Sequence, residues 1–513
     1  MAIDPKHLPE DPKALQQMVL DLMTQLDREF TERHKIEALL RELLDARRNR
    51  KSEQLTTDQL ALFAAAWEAR QAQADTAEKP GGSDDDDAPT PGAGGATPKK
   101  KTGGRQPLPR HLKRERIVHD LADSEKHCAV CQQDLRSMGE ESSERYEYIP
   151  AQLTVIEDVC KKYACACTVK TATKPPQPIE KSTAGASLLA QVIVAKNADH
   201  LPLHRQEKIF ARHGVDISRK TMGGWLAQCA NLLQPLYGSL KHVLFESKVI
   251  GTDDTSVKVL DVKLPFARTG RIWPYYGDAE HPVILYDYTA TRERAGPEKF
   301  LAGYRGYLQA DAYGGYDAFF KDPRRGLIEV GCWAHARRYF HKALESDQAR
   351  MGPVLLLIAQ LYRVERQAQG LKAEDRLRLR QLQSQPILDK LHNYLTEIQA
   401  EILPKSPEGR AVRYTLKNWT ALTRYCEDGD LAIDNNATER AIRGVAVGRN
   451  NWIFFGSDQG GKTAAVLRSF VATCQRAGID PFTWLKDVLS RIAAHPITRL
   501  AELLPHNWTP AQA

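Results

Sequence analysis

The sequence predicts a multidomain α+β protein, and three observations support this prediction. A stretch rich in Pro, Gly and blocks of like charge separates an N-terminal helical segment from the rest of the chain. Two close pairs of cysteines follow, and beyond residue 246 helical patterns give way to a series of β-branched and aromatic runs. With 513 residues, the chain is long enough for roughly three domains of about 150 residues each.

Composition and charge narrow the class of protein. The 72 Lys+Arg against 65 Asp+Glu give a net charge of +7, which permits a nucleic-acid partner without demanding one. The N-terminus lacks the basic and apolar regions of a secretory signal, and the longest apolar run is far shorter than the roughly 20 residues that span a bilayer. We therefore expect a soluble cytoplasmic protein with no membrane partner, whose cysteines are thiols or metal ligands.

The N-terminal segment, residues 1–71, is predicted to be helical and zipper-like. Apolar residues recur at alternating spacings of three and four, with breaks at Glu29 and Arg33, at Leu15, Val19, Leu22, Leu26, Ile36, Leu40 and Leu43. The pattern favours a short, imperfect coiled coil that pairs protomers, with a surface helix as the alternative. Residues 72–108 have the composition of a disordered linker.

Residues 109–175 are predicted to form a zinc-binding β segment. Cys128-x-x-Cys131 and Cys165-x-Cys167 are pairs of thiolates at spacings that suit tetrahedral Zn(II), and the run between them is strand-like. If Cys167 cannot reach the metal, Cys160 or His127 could replace it. The alternative is a set of free structural thiols.

Residues 176–245 are predicted to be helical. The run "PLHRQEKIFARHGVDISRKTMGGWLAQCA" has a helix, a turn at Gly214, and then Ser218 as the N-cap of a second helix. This spacing is typical of a helix-turn-helix motif, with Arg219 and Lys220 at the start of the recognition helix. An ordinary helical hairpin is the alternative.

Residues 246–455 are predicted to form an α/β domain with a helical insertion at about 342–430. Asp253 falls in the first predicted strand and Asp311 in the fourth, where a carboxylate is costly unless it is paired or bound to metal. Glu439 opens a later helix that carries Arg440 and Arg443. Three carboxylates can hold two hard cations, Mg(II) or Mn(II), which suits an in-line phosphodiester displacement. Ordinary salt bridges are the alternative for either aspartate alone.

Several motifs in order resemble the transposase of the insertion sequence 66 family. They are "GTDDTSVKVL", "GYLQADAYGGYD", "GCWAHARRYF", "DNNATERAIRGVAVGRNNWIFFGSDQGGKTAA" and "LLPHNWTP", and the resemblance covers nearly the whole chain. It implies a ribonuclease-H-like catalytic fold with an acidic DDE triad, in which Asp253, Asp311 and Glu439 match the three acids by position. It also implies a short helical C-terminal domain, residues 456–513.

The chain departs from the family pattern at two places. Asp253-Asp254-Thr255 stands where the family usually has Asp-Glu-Thr, and we expect Asp254 to point to the other face of the strand. The second cysteine pair is Cys-x-Cys where the family more often has Cys-x-x-Cys. The first departure leaves Asp253 as the matching ligand, and the second leaves the zinc ligand set open.

The resemblance implies a DNA transposase that cleaves and joins strands with Mg(II) or Mn(II) and without ATP. Its partners would be double-stranded DNA (the terminal repeats of its own element and target DNA), a second copy of the chain, and small companion proteins of the same element. It would be associated with the nucleoid. The alternative is a catalytically silent, transposase-derived DNA-binding regulator.

Two further features call for interpretation. Gly456 to Thr463 matches the G-x-x-x-x-G-K-[ST] phosphate-loop pattern, but the 50 residues that follow contain no strand ending in a metal-binding Asp, so we interpret the match as a Gly-rich turn. Trp333 and His335 are expected beside the acids, where they would stack on a displaced base or contact the scissile phosphate, with a core Trp and a hydrogen-bonded His as the alternative. Arg440 and Arg443 are expected to clamp phosphates, with ion pairing to the acids as the alternative.

Overall fold

The computed structural model describes residues 152–164, 169–171 and 176–510, together with residues 59, 61, 63 and 64. The chain divides into two compact units, one of residues 1–78 with 173–513 and the other of residues 79–172. The predicted coiled coil, the linker, and the four proposed zinc ligands Cys128, Cys131, Cys165 and Cys167 lie outside the described residues. No helix in the described part is long and apolar enough to cross a membrane.

In the smaller unit, the described residues contain one short hairpin. Strand β1, Lys162–Ala164, pairs antiparallel with β2, Val169–Thr171. Residues 152–161 have no regular secondary structure, so the long strand-like run predicted there is wrong for these residues, although β1 at its end is a strand. Cys160, the alternative zinc ligand, is partly exposed just before β1.

The larger unit begins, within its continuous described part, with four helices. They are α1 Ala186–Asn197, α2 Leu203–Arg212, α3 Arg219–Leu232 and α4 Gln234–Phe245. Gly214 adopts a positive φ of 74° after α2, and the Ser218 side chain accepts a hydrogen bond from the Thr221 N–H at the start of α3. The predicted turn and N-cap are confirmed. The connection of residues 213–218 is longer than the three or four residues usual in a helix-turn-helix.

A mixed sheet forms the centre of this unit. Its strands are β3 Val249–Thr252, β4 Thr255–Val259, β5 Arg268–Tyr276, β6 Ile284–Thr289, β7 Gly306–Gln309, β8 Leu327–Val330 and β9 Phe454–Phe455. β5 runs antiparallel to β3, β4 and β6, whereas β7 is parallel to β3, β8 is parallel to β7, and β9 is parallel to β4. The strand runs predicted between 248 and 330 are confirmed.

β3 and β4 form one interrupted ladder along β5. Thr252 pairs with Tyr275 and Thr255 pairs with Ile272, so the register is unchanged across the two residues between the strands. Continued through the gap, that register places Asp253 opposite Pro274, which has no N–H to donate. Asp253 therefore lies at the gap between two strands, one residue after β3, rather than within a strand as predicted. Asp311, predicted within the fourth strand, likewise lies outside it, two residues after the end of β7.

Helices surround the sheet and form a second core after β8. Two short helices precede this region, α5 Ala295–Phe300 and α6 Asp317–Lys321. The long helical stretch contains α7 Trp333–Ala343, α8 Gln348–Gln367, α9 Ala373–Leu379, α10 Gln385–Gln399, α11 Pro407–Lys417 and α12 Trp419–Thr423. Within it, the buried Arg380 guanidinium pairs with Glu365 at 2.7 Å and donates to the Tyr425 carbonyl.

The last helices return to the sheet. They are α13 Asn436–Trp452, α14 Asp458–Arg476 and α15 Pro481–Arg491. Along β6, the Tyr286 N–H donates to Ser469 Oγ at 2.8 Å and the Ile284 N–H donates to Thr473 Oγ1 at 3.1 Å. Hydroxyls of α14 thus satisfy backbone groups on the outer strand and cover that edge of the sheet.

The phosphate-loop match is mostly helical. α14 begins at Asp458, so six of the eight matching residues lie in regular helix and the interpretation as a Gly-rich turn is wrong for them. Ser457 caps this helix by accepting from the Gly460 N–H, and a Cβ at Gly461 would lie 2.6 Å from the Tyr288 ring. Gly461 therefore serves close packing between α14 and the sheet, whereas a Cβ at Gly456 would meet nothing within 4 Å.

Candidate active site

Two of the predicted acids are placed by neighbouring parallel strands. Gly251 of β3 pairs with Gln309 of β7, and Asp253 and Asp311 each come two residues after that pair. Because the carboxyl ends of parallel strands meet at one edge of a sheet, both aspartates lie at the same edge. Sequence spacing alone does not reveal this, since 57 residues separate them.

Glu439 is positioned by close contact between α13 and β3. Glu439 lies in the first turn of α13, and the buried Thr438 precedes it. A Cβ at Gly251 would collide with Thr438 Oγ1 and lie 3.0 Å from Asn435 Oδ1, so only glycine fits there. Asn435 also donates its side-chain N–H to the Thr252 carbonyl at 2.8 Å. The helix start is thereby fixed to the strand that leads into Asp253.

The three carboxylates interact electrostatically. Burial raises the pKa of Asp253 to about 7, with further contributions from the nearby carboxylates of Asp311 and Glu439. Burial also raises the pKa of Asp311, an effect opposed by the neighbouring His335 and Arg292. Such crowding of acids disfavours their joint ionisation unless positive charge is supplied.

Asp254 has a different environment from Asp253. Its side chain is 2 % exposed and pairs with Arg271 at 2.8 Å and with Arg292 at 2.7 Å. Arg292 also lies over the Tyr313 ring, 4.3 Å from the centroid. Because Asp254 already forms ion pairs with two arginines, its carboxylate oxygens are occupied. Asp253 is therefore the aspartate of this pair whose carboxylate remains able to bind a ligand.

A histidine and a cysteine complete the cluster. His335 lies in the first turn of α7, with Nδ1 3.7 Å from Glu439 Oε1, and Arg338 lies 3.9 Å from the other Glu439 oxygen. One ligand atom from each of Cys332, His335 and Glu439 falls within 4.8 Å of the others. Burial raises the pKa of the Cys332 thiol to about 12, and its sulfur accepts from the Asn435 N–H. Sequence reasoning missed Cys332, although the Cys-x-x-His spacing at a helix start was a usable signal.

Trp333 is a core residue and not a base-stacking residue. It is fully buried, its indole N–H donates to the Leu422 carbonyl at 2.8 Å, and its ring meets Trp419 edge to face. The prediction that Trp333 contacts DNA is therefore wrong, because no face of the ring is open to a base. The core alternative is the one that the structure supports for this residue.

The predicted basic residues are at the surface. Arg440 and Arg443 are exposed on α13, and among the described residues neither forms an ion pair with an acid. Arg219 and Lys220 are exposed at the start of α3, on a different helix pair. The structure thus brings together Asp253, Asp311, Glu439 and His335, and leaves the four basic side chains available to a ligand.

The donor set fits divalent cations. Carboxylate oxygens are the ligands that Mg²⁺ and Mn²⁺ prefer, and three carboxylates converge here. Glu439 Oε1 and His335 Nδ1 are buried and have no hydrogen-bond partner among the described residues. Buried polar atoms without partners are costly, so a ligand that satisfies them is favoured.

Four family models match the chain. "Transposase IS66 family" matches residues 181–463, "IS66 C-terminal element" residues 469–506, "zinc-finger binding domain of transposase IS66" residues 125–168, and "Transposase C of IS166 homeodomain" residues 35–117. The zinc-finger match spans all four predicted cysteine ligands.

Two similar proteins come from Sinorhizobium fredii. The uncharacterized protein y4hP is 35 % identical over 433 residues, which cover 80 % of this chain and 78 % of the relative. The uncharacterized protein y4jD is 34 % identical over 418 residues, which cover 78 % of this chain and 81 % of the relative.

Proposed function

The chain belongs to the IS66 transposase family, and on that premise we propose that it is a DDE transposase that cleaves and joins DNA strands at Asp253, Asp311 and Glu439. One observation carries the proposal. Two carboxylates follow adjacent parallel strands, and a third, on a helix fixed to the same strand end, lies near enough to help raise the pKa of Asp253.

The proposal includes a ribonuclease-H-like catalytic fold. Its support is the sheet, in which the antiparallel strands β3/β4, β5 and β6 are extended by the parallel strands β7 and β8. The acids lie at the carboxyl edge of this sheet, and a helical insertion separates the second acid from the third. The domain boundaries given above remain part of the proposal.

Asp253, Asp311 and Glu439 would hold Mg²⁺ or Mn²⁺. Two such ions supply a water of lowered pKa and neutralise charge on the leaving oxygen. The protein's part is to keep the three carboxylates converged, with Asp254 held apart by Arg271 and Arg292. His335 would help to orient Glu439, because its Nδ1 faces that carboxylate.

The proposed reaction has two displacements. In the first, a water oxygen bonds to phosphorus while the bond from phosphorus to the 3′-oxygen breaks, which leaves a 3′-hydroxyl and a 5′-phosphate. In the second, that 3′-oxygen bonds to a target phosphorus and the target's own 3′-oxygen leaves. One phosphodiester is broken for each one formed in the second step, so no ATP is required. Arg440 and Arg443 would hold the phosphates during both steps.

The remaining segments have proposed roles in assembly. The zinc segment and the α2–α3 pair, through Arg219 and Lys220, would bind the terminal repeats of the element. The N-terminal helical segment would pair protomers, so that a dimer or larger oligomer brings two ends together with target DNA. Small companion proteins of the element and association with the nucleoid belong to the same proposal.

Strand cleavage and joining on labelled DNA carrying the element's own ends, in Mg²⁺ or Mn²⁺ without ATP, tests the function. Wild type is compared with Glu439→Gln and with Glu427→Gln, a control at an exposed glutamate. We expect Glu439→Gln to bind DNA normally and to lose cleavage by at least about 100-fold, while Glu427→Gln behaves as wild type. Cleavage retained in Glu439→Gln would contradict the proposal, and binding without cleavage in all three would favour a silent regulator.

A further inference from the structure

A small pocket of about 30 Å³ lies beside α13 and is not part of the carboxylate cluster. It combines three basic side chains with three aromatic ones, namely Lys196, His200, Arg468, Trp452, Tyr286 and Phe455. A pocket of this size admits one small group rather than a whole drug-sized ligand. The mix of cations and aromatic rings indicates an anionic ligand with an apolar portion.

The basic groups in this pocket lack acidic partners. Among the described residues, no carboxylate forms an ion pair with Lys196, His200 or Arg468. Arg468 donates one N–H to the Asn197 carbonyl, but its buried Nε has no partner there. The Lys196 ammonium lies 5.9 Å from the centre of the Trp452 ring. A partly buried cluster of positive charge without counter-charge is unfavourable, and a bound anion relieves it.

The pKa values agree with this description. Burial lowers the pKa of Lys196 from 10.5 to about 8. Burial, followed by the positive charge of Arg468, also lowers the pKa of His200, with the nearby Asp199 opposing the effect. Both lowered pKa values show that burial disfavours a positive charge on these two side chains.

The pocket lies against α13, the helix that carries Glu439, on a different face of that helix from Glu439. Successive residues of an α-helix are about 100° apart, so Gly444 and Gly448 lie about 140° and 180° around α13 from Glu439. These glycines permit close approach, since a Cβ at Gly444 would collide with Arg468 and one at Gly448 would lie 3.3 Å from His200 Nδ1. The exposed Arg443 and Arg440 fall between, at about 40° and 100°. Basic groups therefore run across α13 from the carboxylates to the pocket.

We propose that this pocket binds a phosphate of the DNA strand that enters the active site, at Lys196, His200 and Arg468, with the attached sugar outside the pocket against the partly exposed Trp452. The strand would cross α13 over Arg443 and Arg440. Gly444 and Gly448 are also five and nine residues along α13 from Glu439, about 8 and 14 Å at 1.5 Å per residue, so the pocket is a few nucleotides away from the carboxylates. This inference rests on the proposed function, because it assumes that DNA lies at Glu439.

Lysine footprinting of the full chain, without divalent cations, tests the contact directly. Lys196 is acetylated at pH 8 in the free protein, in the presence of a labelled DNA end, and in the presence of inorganic phosphate at the same phosphate concentration. We expect DNA to protect Lys196 and inorganic phosphate not to protect it, with the exposed Lys486 as the internal control. Equal protection by inorganic phosphate would overturn the proposal in favour of a free-anion site, and no protection would also overturn it.

The salt dependence of DNA binding gives a second, independent readout. Lys196→Gln should weaken binding about tenfold and reduce the slope of log K against log salt by about 0.9, the value for one lost phosphate contact. Lys196→Arg should restore the slope, and Lys486→Gln should match wild type. A wild-type slope in a folded Lys196→Gln protein would refute the contact.

Neutral methylphosphonate linkages, placed one at a time near the cleavage site, locate the phosphate. One position a few nucleotides from that site should weaken binding to wild type but not to Lys196→Gln. Sensitivity that is identical in both proteins would count against the proposal. None of these measurements needs cleavage, so a failed cleavage assay with Glu439→Gln is distinguishable from a failed pocket.

Discussion

The Nδ1 of His335 lies 3.7 Å from Oε1 of Glu439, and both atoms are buried without a hydrogen-bond partner among the described residues. The two side chains come from α7, the first helix of the helical stretch, and from α13, which follows that stretch. His335 also opposes the rise that burial causes in the pKa of Asp311. The histidine thus connects two of the three acids and is the residue whose role is most open to test.

Replacing His335 with Asn should lower strand cleavage by about 10–100-fold while DNA affinity stays the same, because the residue positions Glu439 rather than holding DNA. Single-turnover cleavage and filter binding measure the two effects. His242→Asn, at an exposed position on α4, is the matched control. A loss of DNA affinity as large as the loss of cleavage would instead assign His335 to DNA binding.

The two adjacent aspartates should respond in opposite ways to neutralisation. In metal-free protein at pH 8, Asp253→Asn should raise the melting temperature, because it removes a negative charge that burial and the neighbouring acids disfavour. Asp254→Asn should lower the free energy of unfolding by about 2 kcal/mol, because it leaves Arg271 and Arg292 without their shared carboxylate.

Manganese ions sharpen this comparison. Mn²⁺ should stabilise wild type and Asp254→Asn but not Asp253→Asn, since only Asp253 is a proposed ligand. Thermal melts with and without the ion are sufficient. Stabilisation lost in Asp254→Asn alone would reverse the assignment of the two residues.

Gly251→Ala should separate Glu439 from the aspartates. The new Cβ would collide with Thr438 Oγ1, so α13 must shift at its first turn. We expect a destabilisation of about 1–3 kcal/mol and loss of most cleavage activity. Gly238→Ala in α4, where a Cβ meets nothing within 4 Å, should instead be neutral or slightly stabilising. Full activity in Gly251→Ala would show that the close approach is not required.

Lys196 should make stability depend on pH in the alkaline range. Its pKa is about 8 in the folded protein against 10.5 for an unperturbed lysine, so the unfolded chain binds more protons between these values. The free energy of unfolding contributed by this group therefore rises as the pH increases from about 8 to 10.5. Urea unfolding of wild type and Lys196→Gln at several pH values isolates this pH-dependent contribution to the free energy of unfolding, which should be absent in the variant. An identical pH dependence in both proteins would contradict it.

Trp333→Phe tests the corrected role of the tryptophan. The substitution removes the hydrogen bond to the Leu422 carbonyl and part of the ring, so stability should fall by about 1–3 kcal/mol. DNA affinity, measured below the melting transition, should not change. A selective loss of affinity for single-stranded DNA would revive the stacking hypothesis.

The sequence predicted most of the secondary structure between 248 and 330 because strand propensity and turn residues agree there. Residues 268–276 and 284–289 are rich in β-branched and aromatic side chains and are bounded by turn residues. The prediction agreed less well with the structure where a short motif resembles a known pattern but the surrounding fold differs from that pattern. The Gly456–Thr463 pattern looks like a phosphate loop, yet Ser457 caps a helix there and Gly461 packs on Tyr288. A local pattern cannot show which partner a glycine faces.

The sequence by itself determined the family and the order of its segments, and it identified the three acids that we propose as catalytic, because all of these follow from the linear order of motifs. Only the tertiary structure decided which side chains meet. Asp253 and Asp311 converge through strand register, and Glu439 joins them because Gly251 allows α13 to approach β3. Likewise, Trp333 is buried, and Lys196 and Arg468 line one pocket although they are far apart in the chain. Such contacts follow from packing in three dimensions, which no local spacing encodes.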